Sequence, residues 1–300
     1  MFKSLFQSIS AFCNAGFDLI GSENMVPFVT NIGINIVCML LTTLGGLGFL
    51  VWDDISNCVV EGKDKKFSLT RIVKNLKLHT KLILIAQVSL VILGTFAFFV
   101  AEYHNPETIA DFNIQDKLLI SSFHSVSART AGFASVNLAN LNDITKIFMI
   151  ILMFIGGGPG SVAGGIKTTT LIVLLLGVIT SIRGKKHMNI LKRTVSDGTF
   201  IKAVSVITIA ITVLVVSNVI LVMNSDIYVL DLLFESVSAF ATVGLTSGAL
   251  AEMNTFCQSI IIFLMYIGRV GTTTMAVAFV MKKPIENDLV VYAKEDIIVG

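Results

Sequence analysis

Five long apolar stretches divide the chain, and each is close to the length that an α-helix needs to cross a lipid bilayer. Such a helix takes about 20 mostly apolar residues. Three shorter runs mix Ser and Ala with apolar residues and are too short to cross. The long stretches cover residues 28–52, 80–101, 144–182, 203–223 and 256–281, and the short runs cover residues 2–14, 115–128 and 229–241. The pattern predicts repeated units, each built from a span, a short half-helix, a loop and a second span.

The composition agrees with a location in a membrane. Apolar residues make up 54% of the chain and charged residues only 14%, with a mean hydropathy of +0.83, whereas soluble domains carry about 25% charged residues. The net charge of +2 argues against nucleic acid as a partner. Four scattered cysteines lack the spacing of a metal site or a disulfide framework. No cofactor is expected, and no arrangement of nucleophile and base points to an enzyme.

Each short run ends in a loop that contains glycine. Gly132 follows Gly16 by 116 residues and precedes Gly244 by 112, and related motifs at near-constant spacing indicate an internal repeat. Thr242-Val243-Gly244 contains the tripeptide at the centre of the potassium-channel filter, in which backbone carbonyls replace the water shell of the ion. The predicted cation filter consists of Asn14, Ala15, Gly16, Thr130, Ala131, Gly132, Thr242, Val243 and Gly244.

Two physical features fit a filter at these loops. Glycine reaches the unusual backbone angles that aim successive carbonyl groups at one axis. The half-helices would point their C-terminal ends, which carry partial negative charge, toward the cavity, and this arrangement favours a cation. The alternative is that the glycines only let helices pack closely, but close packing does not account for short helices that enter and stop.

The distribution of charge predicts the orientation of the chain. Basic residues dominate the linkers 61–81 and 183–202 and recur in the tail from Lys282, and an excess of Lys and Arg marks the cytoplasmic side. All three loops are then expected to enter from outside. The segments before the second and third loops are acidic, which would concentrate cations at the pore mouth, although ordinary solvated loops would carry the same acids.

The apolar stretch after the second loop contains a long interruption. Gly45, Gly156 and Gly268 occupy equivalent places after the three loops, at spacings of 111 and 112 residues. A helix cannot run smoothly through the middle copy, because Pro costs about 3 kcal/mol inside a helix and each Gly about 1 kcal/mol. We predict a flexible gate below the filter, with a simple kink as the alternative. The predicted gate residues are Gly156, Gly157, Gly158, Pro159, Gly160, Gly164, Gly165 and Lys167.

Three basic residues fall inside or beside predicted membrane segments, where charges are costly and usually functional. Arg269 aligns with the interruption and is expected to face the pore and raise the barrier for a cation, unless it pairs with a buried carboxylate such as Glu235. Arg129 is expected to brace the second loop rather than line it. Lys167 either reaches the cytoplasmic interface or stabilises the broken span.

With these motifs identified, the chain resembles the Trk/Ktr/HKT superfamily of potassium transporters, and in particular the membrane subunit of a bacterial Ktr-type system. The resemblance covers essentially all 300 residues. It rests on Ser10-Ala11-Phe12-Cys13-Asn14-Ala15-Gly16-Phe17-Asp18, Arg129-Thr130-Ala131-Gly132-Phe133, Gly164-Gly165-Ile166-Lys167-Thr168-Thr169, Gly268-Arg269-Val270-Gly271 and the ending Glu295-Asp296-Ile297-Ile298-Val299-Gly300.

The resemblance implies an all-α membrane protein with repeated helix–pore-loop–helix units around a central, potassium-channel-like pore. Family members have four units, so three of four pore loops are present, and the first unit and the leading span of the second are expected to be missing. Gly16, Gly132 and Gly244 would be filter glycines of the second, third and fourth repeats. The implied divisions are residues 1–60 for the second-repeat pore loop and exit helix, 61–184 for the third repeat with its broken exit helix, 185–282 for the fourth repeat and 283–300 for a cytosolic tail.

The resemblance also implies a function and partners. The function is potassium uptake across the bacterial cell (plasma) membrane by a multi-pass transporter subunit, with sodium as a further transported ion in a symport. The expected partners are a second copy of the chain in a homodimer, a cytosolic nucleotide-binding regulatory subunit and membrane lipid. The alternative is a truncated, non-conducting fragment that retains only surfaces for dimerisation or for docking the regulator.

Overall fold

The computed structural model describes residues 1–21, 24–61, 74–185, 187–191 and 193–271, and α-helices dominate them. Residues 62–73 of the first basic linker and the tail from residue 272 lie outside this description. The helices are α1 Phe2–Phe12, α2 Ile32–Leu47, α3 Phe49–Glu61, α4 Leu78–Glu102, α5 Ile114–Ser127, α6 Asp143–Phe154, α7 Thr168–Ile182, α8 Asp197–Met223, α9 Val229–Phe240 and α10 Thr255–Val270.

These helices repeat in a fixed order. In the second and third units of the chain, a long span (α4 or α8) precedes a short half-helix (α5 or α9), a loop and an exit helix that begins with α6 or α10. Each long span packs against the half-helix that follows it. The first unit has the same order from its half-helix α1 onward, with α2 as the exit helix. The succession of half-helix, loop and exit helix predicted from the sequence is present three times.

Each exit helix begins after an asparagine at the equivalent position. Asn31 and Asn254 accept hydrogen bonds from the backbone N–H three residues later, at 3.1 and 2.8 Å. Asn142 has the same place before α6, where its own N–H donates to Glu102 at 2.9 Å. A side-chain oxygen at this position satisfies an N–H that lacks a partner within the helix, and replacing it by Ala costs about 1 kcal/mol. The starts of α2 and α10 are therefore encoded locally, whereas the start of α6 depends on Glu102 of α4.

Two of the predicted spans are continuous helices that are long and apolar enough to cross a membrane. They are α4 and α8, which contain the predicted stretches 80–101 and 203–223. The stretch 28–52 differs, because the chain turns by 93° between α2 and α3. Gly48 stands at this turn with a φ of 94°, which is accessible to glycine and strained for other residues. The prediction of one continuous helix over 28–52 is therefore wrong.

The two remaining predicted spans end or break at glycine. The stretch 144–182 is divided into α6 and α7 by the predicted interruption. The stretch 256–281 begins as α10, which ends at Val270 before Gly271. Residues 272–281 lie outside the described part of the chain, so the second half of that predicted span remains a prediction.

A short antiparallel hairpin lies in the second basic linker, where the sequence analysis predicts no strand. Strand β1, Met188–Ile190, pairs with strand β2, Arg193–Val195. Met188 is buried, and β1 contacts α7. Packing against a helix, rather than a long alternating pattern, thus supports these three-residue strands.

A buried carboxylate joins α3 to α4 on the side assigned to the cytosol. Asp54 is 3% exposed and accepts hydrogen bonds from the Lys77 N–H at 2.9 Å and from the Thr80 hydroxyl at 2.6 Å. The residue that precedes α4 makes no side-chain cap bond of its own. Asp54 therefore satisfies the first turn of α4 from a different helix and holds together the two ends of the first basic linker.

The largest apolar core lies around the second and third half-helices. It includes the fully buried side chains of Ile120 on α5, Met153 on α6 and Phe234 and Phe240 on α9. Each such side chain contributes roughly 1.5–3 kcal/mol through burial. This packing holds α5 and α9 in fixed positions, so the loops at their C-terminal ends are also held.

Candidate ion pathway

The three glycine loops share one backbone conformation. Gly16, Gly132 and Gly244 have positive φ angles of 74°, 79° and 90°. The residue two positions earlier in each loop also has a positive φ, which is uncommon for residues other than glycine. These residues are Asn14 at 50°, Thr130 at 71° and Thr242 at 52°. Three different sequences therefore adopt one loop geometry, as an internal repeat requires.

Gly132 lies next to both of the other loop glycines, Gly16 and Gly244. A Cβ added to Gly16 would lie 2.9 Å from the Ala131 carbonyl oxygen and 3.2 Å from the Gly132 Cα. A Cβ on Gly132 would overlap the Val243 carbonyl oxygen, and one on Gly244 would lie 3.7 Å from the Gly132 Cα. The backbones can approach this closely only because glycine has no side chain. The structure thus brings together the three loops that the sequence analysis assigned to a filter.

Side chains connect the first loop to the second from the protein side. The Asn14 amide and the Thr130 hydroxyl are both buried and lie 3.2 Å apart. In the amide orientation that satisfies both of its ends, Asn14 accepts from Thr130 and donates to the carbonyl oxygens of Ala11 and Thr42, at 3.1 and 3.2 Å. These two side chains therefore support the loops by contacts with neighbouring protein groups.

A serine in each half-helix holds the residue that follows the loop glycine. The serine hydroxyl donates to the carbonyl oxygen of that residue in all three units. The bonds join Ser10 to Phe17 at 2.6 Å, Ser127 to Phe133 at 2.5 Å and Ser238 to Leu245 at 2.6 Å. The middle loop has one residue fewer between serine and glycine and still makes the bond. In the sequence these runs stand out only by their Ser and Ala content, and the recurrence of a serine before each loop glycine is the signal for this role.

The exit helices of the first and third units pass directly under the end of their half-helix. A Cβ on Gly45 of α2 would overlap the Phe12 carbonyl oxygen, and a Cβ on Gly268 of α10 would overlap the Phe240 carbonyl oxygen. These two carbonyls belong to equivalent residues, at the last position of α1 and α9. Glycine at this point therefore lets the exit helix approach the half-helix backbone.

Arg129 stands where the middle loop is one residue shorter. Its guanidinium is buried, and Nη2 donates to the Gly156 carbonyl oxygen at 3.2 Å and to the Thr168 hydroxyl at 3.4 Å. The Thr168 hydroxyl also donates to the Gly156 carbonyl, at 2.8 Å. Arg129 therefore connects the second loop to both ends of the broken exit helix, in agreement with a bracing role.

Replacing Arg129 by Lys should destabilise the protein, because a lysine ammonium does not reproduce the planar guanidinium fork. A hydrogen bond to a charged group contributes about 1.5–3 kcal/mol, so we expect a loss of that order in the free energy of unfolding in detergent. Arg183→Lys is the matched control, since Arg183 is exposed after α7, and it should change stability by less than about 0.5 kcal/mol. Equal stabilities of the two variants would contradict the bracing role.

The predicted gate residues form a loop that leaves and rejoins the exit helix of the second unit. This gate loop runs from Ile155 to Lys167, between α6 and α7. Its base is closed by backbone bonds from the Gly156 N–H to the Ile166 carbonyl at 2.8 Å and from the Ile166 N–H to the Phe154 carbonyl at 3.2 Å. The interruption is therefore a closed loop with its own hydrogen bonds rather than a kink in one helix.

One side of the gate loop contacts the first unit at the turn between α2 and α3. The Gly158 N–H donates to the Gly46 carbonyl oxygen at 2.9 Å, and the Phe49 N–H donates to the Gly160 carbonyl oxygen at 3.1 Å. The Pro159 carbonyl oxygen lies so close to Gly48, the glycine at the turn, that a Cβ at Gly48 would overlap it. The 93° turn thus provides the surface on which this side of the loop rests.

The other side of the gate loop contacts the third unit, next to its filter loop. A Cβ on Gly164 would lie 2.6 Å from the Ala241 carbonyl oxygen and would overlap the Thr242 hydroxyl. Arg269, near the end of α10, donates from Nη1 to the Val162 carbonyl oxygen at 2.8 Å. The gate loop therefore crosses from the first unit to the third, beside the residues that lead to the loop glycines.

Like Arg129, the basic residues Lys167 and Arg269 donate to carbonyl groups of the gate loop. The Lys167 ammonium donates to the Ala163 carbonyl oxygen at 2.6 Å, so it stabilises the broken span instead of extending to the interface. Arg269 contacts Val162, whereas Glu235 accepts hydrogen bonds from the segment after the third loop. The alternative in which Arg269 pairs with Glu235 is therefore wrong.

A cavity of about 470 Å³ lies between the first and third loops. The middle loop touches both of its neighbours through the glycine contacts above, whereas this cavity separates the two outer loops. Its lining includes Asn14, Ala15, Thr242, Gly244 and Arg269. The predicted filter residues and the predicted pore charge thus share one open space.

Polar contacts connect the second and third units at the end of the protein assigned to the outside. The Lys146 ammonium lies 2.8 Å from Asp231, which joins the start of α6 to the start of α9. The Tyr228 hydroxyl donates to Asp143 at 3.2 Å, and this nearby carboxylate raises the pKa of Tyr228. These contacts fix the outer end of the third half-helix.

The chain has three half-helices that each stop at a glycine loop, and the middle loop contacts the other two. This arrangement defines a pore-loop membrane protein. The chain belongs to the TrkH family of cation transport proteins, whose family model matches residues 1–288. This membership confirms the resemblance drawn from the sequence. It also confirms that the chain belongs to a class of transport proteins and not of enzymes.

Relatives of known name agree with this family. The chain is 39% identical to Ktr system potassium uptake protein B of Bacillus subtilis over 93% of its own length and 60% of the relative's. It is 38% identical to the protein of the same name from Vibrio alginolyticus, over 100% and 63%. The potassium/sodium uptake protein NtpJ of Enterococcus hirae is 34% identical, over 99% and 64%. The chain thus spans less than two thirds of the length of these relatives.

A solved structure shows the same fold. The potassium transporter TrkH from Vibrio parahaemolyticus matches with a TM-score of 0.73 and 18% identity, over 92% of this chain and 58% of that chain. The match confirms the predicted all-α, potassium-channel-like architecture. Together with family membership and the two long apolar helices, it confirms a multi-pass protein of the bacterial cell membrane.

Proposed function

We propose that this chain is the ion-translocating subunit of a Ktr/Trk-type transporter that takes up potassium across the cell membrane. The observation that carries the proposal is the meeting of Gly16, Gly132 and Gly244 in three loops of one conformation. Relatives named as potassium uptake proteins support potassium as the transported ion. A relative named as a potassium/sodium uptake protein supports sodium as a second ion in a symport.

Ion selection would come from backbone carbonyl groups of the nine predicted filter residues. Such groups can replace the water shell of a potassium ion without a charged side chain. The half-helices α1, α5 and α9 all end at the loops, so the partial negative charge of their C-termini adds to the attraction for a cation. Exposed acids before the second loop, Glu107 and Asp111, would raise the local cation concentration at the mouth.

Gating would come from the gate loop. Backbone bonds to Gly46 and Phe49 hold it on one side, and the bond from Arg269 to Val162 holds it on the other. Opening would break contacts on at least one side and swing the glycine-rich segment away from the third filter loop. The positive charge of Arg269 would raise the barrier for a cation passing this point.

Two protein partners complete the proposal. Several relatives are named as proteins of a Ktr system, which fits a membrane subunit that works with other components. We assign a cytosolic nucleotide-binding regulatory subunit to the side of the basic linkers, and a second copy of the chain to a homodimer within the membrane lipid. Covalent crosslinking of the chain in membranes should yield a dimer if the second assignment is correct.

A second candidate function is a non-conducting fragment that keeps only surfaces for dimerisation or for docking the regulator. The cavity between the first and third loops favours it, because a filter open on one side would not surround an ion. Under this alternative the loops keep their geometry but no potassium crosses the membrane.

Growth of a bacterium that lacks potassium uptake, in potassium-poor medium, separates the two functions. We expect the chain to restore growth if it conducts by itself. The non-conducting fragment would be supported if the chain fails to restore growth and a longer version, extended by the additional repeat that the family resemblance implies, restores it. Failure of both versions, although both are present in the membrane, would contradict potassium uptake.

A further inference from the structure

One half-helix position behind the filter recurs in all three units with a different residue type each time. It lies three residues before the serine that holds each loop, and we call it the clamp position. Its occupants are Gln7, His124 and Glu235. His124 and Glu235 are at most 4% exposed, although ionisable side chains are rarely buried without partners. Their burial requires an explanation.

Glu235 holds the segment that follows the third loop. Its Oε1 accepts hydrogen bonds from the Ser247 N–H at 2.8 Å, the Thr246 hydroxyl at 2.5 Å and the Ser247 hydroxyl at 3.2 Å. Ser247 lies three residues after Gly244. Together with the serine bond to the residue directly after the glycine, Glu235 fixes this outer segment at two points, through a carbonyl and through an N–H.

His124 makes the equivalent contact in the second unit. Its Nε2 accepts from the Ser135 N–H at 3.4 Å, and Ser135 lies three residues after Gly132. Since Nε2 accepts, Nδ1 carries the proton and donates to the Ile120 carbonyl oxygen at 3.0 Å. The ring also stacks on Phe98, at a centroid distance of 4.9 Å. The neutral imidazole of His124 and the carboxylate of Glu235 therefore hold equivalent backbone N–H groups, those of Ser135 and Ser247.

The neighbouring position on each half-helix has a different task. The Ser125 hydroxyl donates to the Val91 carbonyl oxygen of α4 at 2.9 Å, and the Ser236 hydroxyl accepts from the Asn218 amide of α8 at 2.7 Å. Both serines therefore connect the half-helix to the preceding span. On each half-helix the clamp residue thus contacts the filter loop, and the serine directly after it contacts the preceding span. The serines therefore serve as matched controls for substitutions at the clamp position.

Within the described part of the chain, the first unit makes no such clamp contact. The Gln7 amide donates to the Met25 sulfur at 3.6 Å, and its buried Oε1 has no hydrogen-bond partner among the described residues. The segment after the first loop is held instead by Asp18, which accepts from the Ile20 N–H at 2.9 Å. Two of the three loops are therefore clamped from their own half-helix.

We propose that His124 and Glu235 are positioning residues for ion selection, which act by holding the N–H three residues after the filter glycine. The inference rests on the proposed function, because it assigns these residues to a filter. The property that the clamp position requires is a hydrogen-bond acceptor and not a charge. Neutral histidine and glutamate both have one, and this shared chemistry explains why two different residue types hold the equivalent N–H in the second and third loops.

Four variants of the full chain test the requirement for an acceptor. Glu235→Met and His124→Phe keep the approximate size of the side chain but remove the hydrogen-bond acceptor. His124→Phe also keeps an aromatic ring stacked on Phe98. Glu235→Gln and His124→Gln retain one. The readout is the preference for potassium over sodium, measured by calorimetry on the purified chain in detergent, together with the amount of chain in the membrane. Ser236→Ala and Ser125→Ala are the controls.

We expect the two variants without an acceptor to lose potassium preference by on the order of tenfold, the effect of one strong hydrogen bond. The glutamine variants should stay within about threefold of the unsubstituted chain, and the serine controls should lose stability but keep the preference. Unchanged preference in Glu235→Met and His124→Phe would overturn the inference. If either variant fails to accumulate, the glutamine variant at the same position still tests the inference, because a loss of preference there would overturn the requirement for an acceptor without a charge.

The same experiment separates failure of the clamp from failure of the filter. An unsubstituted chain that binds potassium no better than sodium would overturn the proposed function and the clamp with it. A selective unsubstituted chain whose clamp variants are equally selective would overturn the clamp alone and leave the proposed filter intact.

Discussion

Replacing Gly132 by Ala is expected to abolish selective potassium binding. The added methyl group would overlap the Val243 carbonyl oxygen and lie 3.2 Å from the Gly16 Cα, so all three loops would have to move. The φ of 79° adds a backbone cost of about 1–2 kcal/mol for a residue with a Cβ. Potassium should then no longer raise the unfolding temperature of the purified chain more than sodium does.

Two other glycines separate the effect of overlap from that of backbone strain. Gly244 has a φ of 90° but its nearest contact for a Cβ is 3.7 Å away, so Gly244→Ala should weaken potassium binding by about tenfold through strain alone. Gly248 has a φ of 95° and open space around it, and Gly248→Ala should lower stability without changing selectivity. A Gly132→Ala chain with undiminished potassium preference would refute the filter assignment.

Deleting residues 159–162 from the gate loop is expected to increase potassium flux. The deletion removes the Phe49 bond to Gly160 and the Arg269 bond to Val162, one on each side of the crossing segment. A bond of this kind contributes about 1–3 kcal/mol, so the balance between closed and open loops should shift by on the order of tenfold or more. Rubidium uptake into cells that lack their own potassium uptake measures the change.

Two variants of full length serve as comparisons for this deletion. Pro159→Ala keeps the loop length and both hydrogen bonds, and uptake should remain close to that of the unsubstituted chain. Arg269→Gln removes the charge and weakens only the Val162 contact, so it should raise uptake by a smaller factor than the deletion does. Equal or lower uptake after the deletion, at equal amounts in the membrane, would contradict the gating role. If the chain alone does not transport, the longer version takes its place in the assay.

Local sequence determined much of the path of the chain. The three loop glycines, the short half-helices before them and the broken span near Gly156 could all be predicted, because each depends on a periodic or conformational preference of a few neighbouring residues. The continuous helix over 28–52 was predicted wrongly, because its turn depends on contact between Gly48 and the distant gate loop.

The supporting contacts of the loops were outside the reach of the linear pattern. Gln7, His124 and Glu235 share no residue type, so their common position becomes visible only when the half-helices are aligned through their serines. Arg129 could be assigned a bracing role from its place beside Thr130, but its partners lie on the exit helix and in the break. Their identity depends on how the second unit folds back on itself.

The sequence by itself indicated a membrane-embedded chain with three repeated glycine loops, because the length of an apolar run and the conformational freedom of glycine act within one helix or one loop. The family followed from a resemblance of motifs and was shown by the match to the family model. Only the tertiary structure decided which backbones touch. The gate loop crosses from the Gly46 region to Arg269, and Gly132 lies beside Gly16 and Gly244, because distant segments pack there and leave no room for a side chain at Gly16 and Gly132.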